Sequence, residues 1–177
     1  MTAIQPMSDY GELVEPTTLR IERLMPGPID RIWSYLVDSD KRRRWLAAGE
    51  MPQTEGATFE LTWRNDELTD PPGERPAGFG AEHSMVSRIL VIDPPRRLAF
   101  TFGTQSEVEI TLEPAGASVR LTLVHRRVPE RSFLLNVSAG WHAHLDLLVA
   151  AAREERPTAF WDSFRRLKSD YDTRLPA

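Results

Sequence analysis

At Arg126 the hydrophobic pattern of this chain changes period. Upstream, Val108, Ile110 and Leu112 alternate with Glu107, Glu109 and Thr111, and Val119, Leu121 and Leu123 alternate with Arg120 and Thr122. Such alternation predicts strands with one covered and one wet face. Downstream, Leu134, Val137, Trp141, Leu145, Leu148 and Ala152 recur at three- and four-residue steps, which predicts a long helix from about Glu130 with an apolar stripe. A sheet with one apolar face and a helix with one apolar stripe are expected to cover each other.

The remaining segments fit that plan. Thr18–Leu24 alternates as a strand, and Gly27-Pro28 opens a helix whose Ile29, Ile32, Trp33, Leu36 and Val37 share a face. Asp38-Ser39-Asp40 is expected to end it and to cap a second short helix, Lys41–Leu46, with basic residues outward and Trp45 inward. Phe59, Leu61 and Trp63 mark another strand, followed by strands over Glu82–Ile92, Arg97–Phe102, Glu107–Leu112 and Ser118–Arg126, with hairpin turns between them. The expectation is an α+β fold with a mainly antiparallel sheet of about six strands. Residues 65–80 hold three prolines and three glycines and read as a long loop, either mobile or functional. Residues 1–16 read as an irregular tail, 17–156 as the domain, and 157–177 as a helical extension whose Phe160, Trp161, Phe164, Leu167 and Tyr171 pack on it.

Composition removes several chemistries. Without cysteine there are no disulfides, thiolate metal sites or cysteine nucleophiles. A net charge of −4 gives no electrostatic reason to expect nucleic acid, and Lys41–Arg44 reads as a solvated helix surface. No apolar run is long enough for a membrane span, and the N-terminal residues lack the pattern of a signal peptide, so a soluble cytoplasmic protein is expected. There is no GxSxG elbow, phosphate loop or HExxH, hence no visible catalytic constellation and no expected cofactor.

The stretch GWHAHLDLLVAA, Gly140–Ala151, carries two histidines and an aspartate. On a helix His142, Asp146 and Arg153 share a polar face and read as an exposed, salt-linked group. His142 and His144 lie about 160° apart, which argues against a shared metal. His144 borders the apolar stripe, and His125 keeps the inward phase of Leu121 and Leu123. A cavity under the helix would take its wall from Phe59, Trp63, Phe100, Leu121, Leu123, Trp141, Leu145 and Leu148, with His125 and His144 as polar anchors.

The order of elements, with RIERLMPGPIDRIWSYLVDSDKRRRWLAAGE (Arg20–Glu50), RILVIDPPRRLAFTF (Arg88–Phe102), GWHAHLDLL (Gly140–Leu148), Phe160-Trp161 and Tyr171, resembles the helix-grip superfamily of START and Bet v 1-like (SRPBCC) proteins. Within it the chain resembles bacterial homologues of the Hsp90 ATPase activator. The resemblance implies a curved sheet gripping a long C-terminal helix and a small apolar or amphipathic ligand. Two other functions stay open: an Hsp90-activator-like interaction module, with Lys41–Arg44 toward a protein partner or a homodimer, and a cyclase-type enzyme using His125 as general base.

Overall fold

The strands at Thr18–Pro26, Thr58–Trp63, Ser106–Ala115 and Ser118–Arg126 alternate buried and more exposed side chains, and the strands pair so that their buried faces coincide. The computed structural model describes residues 8–176 of the 177. Those residues form one antiparallel sheet of β1 (Glu12–Glu15), β2 (Thr18–Pro26), β3 (Thr58–Trp63), β4 (His83–Asp93), β5 (Arg97–Phe102), β6 (Ser106–Ala115) and β7 (Ser118–Arg126). The spatial order is β1-β2-β7-β6-β5-β4-β3, so the first long strand lies beside the last. The register sets Leu19, His125, Val108, Phe100 and Ile89 in one row across five strands. His125 is the one polar member of that buried row.

Among the described residues four α-helices, α1 (Ile29–Val37), α2 (Ser39–Arg42), α3 (Arg131–Arg153) and α4 (Phe160–Arg174), and a 3-10 turn at Asn65–Glu67 complete the fold. The sheet curves around α3, and α4 packs against α3. Thirteen of the 23 residues of α3 are buried, more than one stripe can supply, because the helix is covered on two sides. Phe160, Trp161, Phe164, Leu167 and Tyr171 of α4 belong to the same core as Leu19 and Leu121. Each fully buried large apolar side chain contributes about 1.5–3 kcal/mol.

Three expectations need correction. The sheet has seven strands where about six were expected, because β1 forms inside the segment read as an irregular tail. This strand is short and mostly exposed, so it lacks alternation, and its pairing of Leu13 with Leu19 comes from the free edge of β2. Residues 1–7 of the expected tail lie outside the described residues. The second short helix spans Ser39–Arg42, not Lys41–Leu46. The Asp38 carboxylate accepts from the N–H groups of Asp40 and Lys41, which starts the helix early.

The third correction concerns the basic run. Arg42 is 2% exposed, not outward. Its Nε donates to the Ala47 carbonyl at 3.1 Å, Nη1 to those of Leu36 at 3.1 Å and Val37 at 3.4 Å, and Nη2 to that of Gly49. The planar guanidinium thereby satisfies carbonyls left open at the end of α1 and in the segment between α2 and β3. An ammonium cannot span these directions. Arg42→Lys is therefore expected to lower stability by about 1–3 kcal/mol in urea unfolding, with an unchanged midpoint counting against the account.

Candidate ligand-binding cavity

At the end of the sheet where β3 stops, β4 begins and β5 stops, the core opens into a cavity of about 360 Å³. The strands contribute Trp63, His83 and Phe102. From α3 come Phe133, Asn136, Val137, Gly140, Trp141 and His144, spaced i, i+3, i+4, i+7, i+8 and i+11 and therefore on one face. Phe160, Trp161 and Phe164 of α4 form the opposite wall. The 65–82 segment closes one side through Asn65, Phe79 and Glu82.

That long segment is folded onto α4. Asp66 accepts from Trp161 Nε1 at 2.7 Å, Thr69 Oγ1 accepts from the Phe160 amide at 2.9 Å, and the Pro72 carbonyl accepts from the Trp161 amide at 2.9 Å. These bonds satisfy amides at the start of α4 that have no partner within the helix. Phe79 stands between two exposed glycines and packs its ring on Trp161 and Phe164, at centroid distances of 5.5 and 5.3 Å. The loop expected to be either mobile or functional forms a wall of the cavity.

Polar groups on the wall are few. His144 Nδ1 lies 2.7 Å from the Trp45 carbonyl, which can only accept, so this nitrogen carries the proton. In the neutral ring Nε2 is then a bare acceptor. Burial pushes the His144 pKa down to about 4, partly opposed by the bond to Trp45, so the ring is neutral at physiological pH. Asn65 and Asn136 hold buried Oδ1 atoms without a hydrogen-bond partner among the described residues. Gly140 interrupts α3 in its middle. A Cβ there would meet only Phe164 Cε2, at 4.0 Å, an ordinary contact, whereas glycine inside a helix costs about 0.5–1 kcal/mol relative to alanine.

Of the residues expected to form the wall, Trp63, Trp141 and His144 line this cavity. The others lie elsewhere. Phe59 and Phe100 pack edge to face at 5.8 Å, and Leu121, Leu123, Leu145 and Leu148 are completely buried in the core. His125 is also fully buried and is not among the lining residues. Its Nδ1 accepts from Trp141 Nε1 at 3.0 Å, which leaves the proton on Nε2, an atom without a partner. Phe102, Phe133 and Trp141 surround it and themselves face the cavity. His125 thus stands behind the wall, where it holds Trp141, and not on the cavity surface where an anchor was expected. The Phe133–His144 spacing widens the apolar stripe of α3 on one side and is legible in the sequence. Nothing local marks Phe79 or Asn65.

His142 also departs from expectation. It is 5% exposed, because α4 and the chain around Tyr10 cover the face read as solvated. The Gly11 amide donates to the Tyr171 hydroxyl at 2.7 Å, the hydroxyl shares a hydrogen bond of 2.9 Å with His142 Nδ1, and Nε2 points to the Asp146 carboxylate at 3.5 Å. Arg23, itself buried, holds Asp146 at 3.0 Å. Burial, reinforced by Arg23, pushes His142 down to about 3. His142 and His144 thus serve different partners, and among the described residues no three metal-ligating side chains gather. Nor is any described helix long and apolar enough to cross a membrane.

Comparison with known proteins places this architecture. Residues 26–153 match the family model described as Activator of Hsp90 ATPase homolog 1-like protein. A Bordetella parapertussis protein solved by solution NMR is 38% identical, with a TM-score of 0.80 over 100% of this chain and 97% of that one. CalU16 from Micromonospora echinospora is 23% identical, with a TM-score of 0.64 over 88% of this chain and 86% of its own. DynU16, from the dynemicin biosynthetic locus, is 18% identical at a TM-score of 0.64, over 81% of this chain and 49% of its own. The last two are similar in fold alone. No curated protein sequence matches the chain. The family match over most of the chain and the helix-grip architecture agree: this chain belongs to the Activator of Hsp90 ATPase homolog 1-like family of SRPBCC proteins.

Proposed function

We propose that this protein binds a small apolar or amphipathic molecule between the end of its sheet, α3 and α4. The observation that carries this reading is a space of about 360 Å³ walled by aromatic rings, within the roughly 300–1,000 Å³ of small-molecule sites. A core built only for stability closes such space, because each void forfeits dispersion contacts. The bare Nε2 of His144 and the amides of Asn65 and Asn136 give a bound molecule a few places to hydrogen-bond, and the rings give it apolar contact. The interaction-module reading has less support, since Arg42 is committed to the fold and only its neighbours remain on the surface.

Dansyl-undecanoic acid tests the proposal. Trp63, Trp141 and Trp161 border the space, so a seated probe is expected to accept energy from tryptophan. Saturable emission at one probe per chain is expected, with a Kd on the order of 1 μM for a ligand of this size. A linear, unsaturable signal with both this probe and naphthol would reject the cavity as a binding site.

A further inference from the structure

Gly140 stands on the cavity face of α3, four residues before His144 and seven after Phe133. Glycines elsewhere in this fold show what a packing requirement looks like. A Cβ on Gly49 would fall 1.8 Å from the Glu60 carbonyl oxygen at a φ of +139°, and one on Gly73 would fall 2.8 Å from Asp162 Oδ1 at +81°. Neither position tolerates a side chain. At Gly140 no positive φ and no close neighbour demands glycine, as the nearest atom would be Phe164 Cε2 at 4.0 Å. Close packing of α3 on α4 therefore does not explain the residue, although glycine weakens the middle of a 23-residue helix. What a side chain at this position would take up is cavity.

We infer that Gly140 determines which ligands the cavity admits, its missing side chain leaving the room that a longer molecule fills. The inference rests on the proposed binding function and adds the residue that sets the size limit. It makes a graded claim: alanine is tolerated by fold and ligand alike, and leucine occupies the space a long ligand needs while sparing a small one.

The test uses the full chain and its Gly140→Ala and Gly140→Leu variants, with dansyl-undecanoic acid as the long probe and naphthol as the small one. Gly140→Ala is expected to raise Tm by about 1–4 °C through helix propensity alone. Its affinity for either probe should stay within about threefold of wild type. Gly140→Leu is expected to remain folded by circular dichroism and to bind the long probe at least about tenfold more weakly, the scale on which an apolar pocket senses added methylenes. Naphthol binding should change by less than about threefold. A fall in Tm for Gly140→Ala, or a Gly140→Leu chain that does not fold, would show that glycine serves packing and overturn the inference. Undiminished binding of the long probe to Gly140→Leu would also overturn it, while leaving the binding reading intact. If the wild-type protein binds neither probe, the binding reading itself falls.

Discussion

Lowering the pH from 7 to 5 is expected to remove several kcal/mol of stability, with three buried histidines as the main cause. Burial pushes His125 and His144 down to about 4, and burial reinforced by Arg23 pushes His142 down to about 3, against 6.5 for an exposed ring. Between about pH 6.5 and 4 the unfolded chain binds protons at these sites and the folded chain does not. Stability therefore falls as the pH falls, by about 1.4 kcal/mol per pH unit for each histidine. At pH 5 this amounts to about 2 kcal/mol per ring, a large share of the roughly 5–15 kcal/mol of a typical domain. Two carboxylates modify the slope in opposite senses toward its acid end. Burial would raise the Glu109 pKa, but hydrogen bonds and charge from Arg97 and Arg126 hold it below the usual value of 4.5, so it adds to the loss only as the pH nears and passes that value. Burial raises the pKa of Asp146 against the pull of Arg23, so it opposes the loss. Urea unfolding at intervals from pH 7 to 4.5 measures the slope. A flat profile through this window would mean that the three rings are not held neutral.

Trp141→Ala is expected to cost about 3–5 kcal/mol, the range for removing a large buried aromatic ring. The indole is 4% exposed, packs against Phe102 and His125, and donates its only N–H to His125. Its loss opens the core toward the cavity and leaves His125 without a partner at either ring nitrogen. Trp141→Phe keeps much of the apolar contact but not the donor, and is expected to fall between wild type and alanine. The urea midpoints of the two variants give the comparison. A loss below about 1 kcal/mol for Trp141→Ala would mean that the ring is not an integral part of the core.

Hydrophobic period by itself determines much of this fold. The alternation ending at Arg126 and the three- and four-residue steps after it determined the antiparallel sheet and the long helix, and placed His125 inward beside Leu121 and Leu123. Period reports a side chain's direction relative to its own element, because strand and helix geometry are local. What stands opposite is decided by packing between elements distant in sequence. His142 looked solvated until α4 and the segment around Tyr10 covered its face of α3. Arg42 looked like surface charge until the end of α1 and the segment after α2 brought open carbonyls around it. Phe59, Phe100, Leu121, Leu123, Leu145 and Leu148 point inward as expected, yet their neighbours fill the space before them. The cavity lies instead where α4 and the 65–82 segment meet a face of α3 that overlaps the apolar stripe at Val137 and Trp141, a junction formed by contacts between residues as far apart in the chain as Asp66 and Trp161.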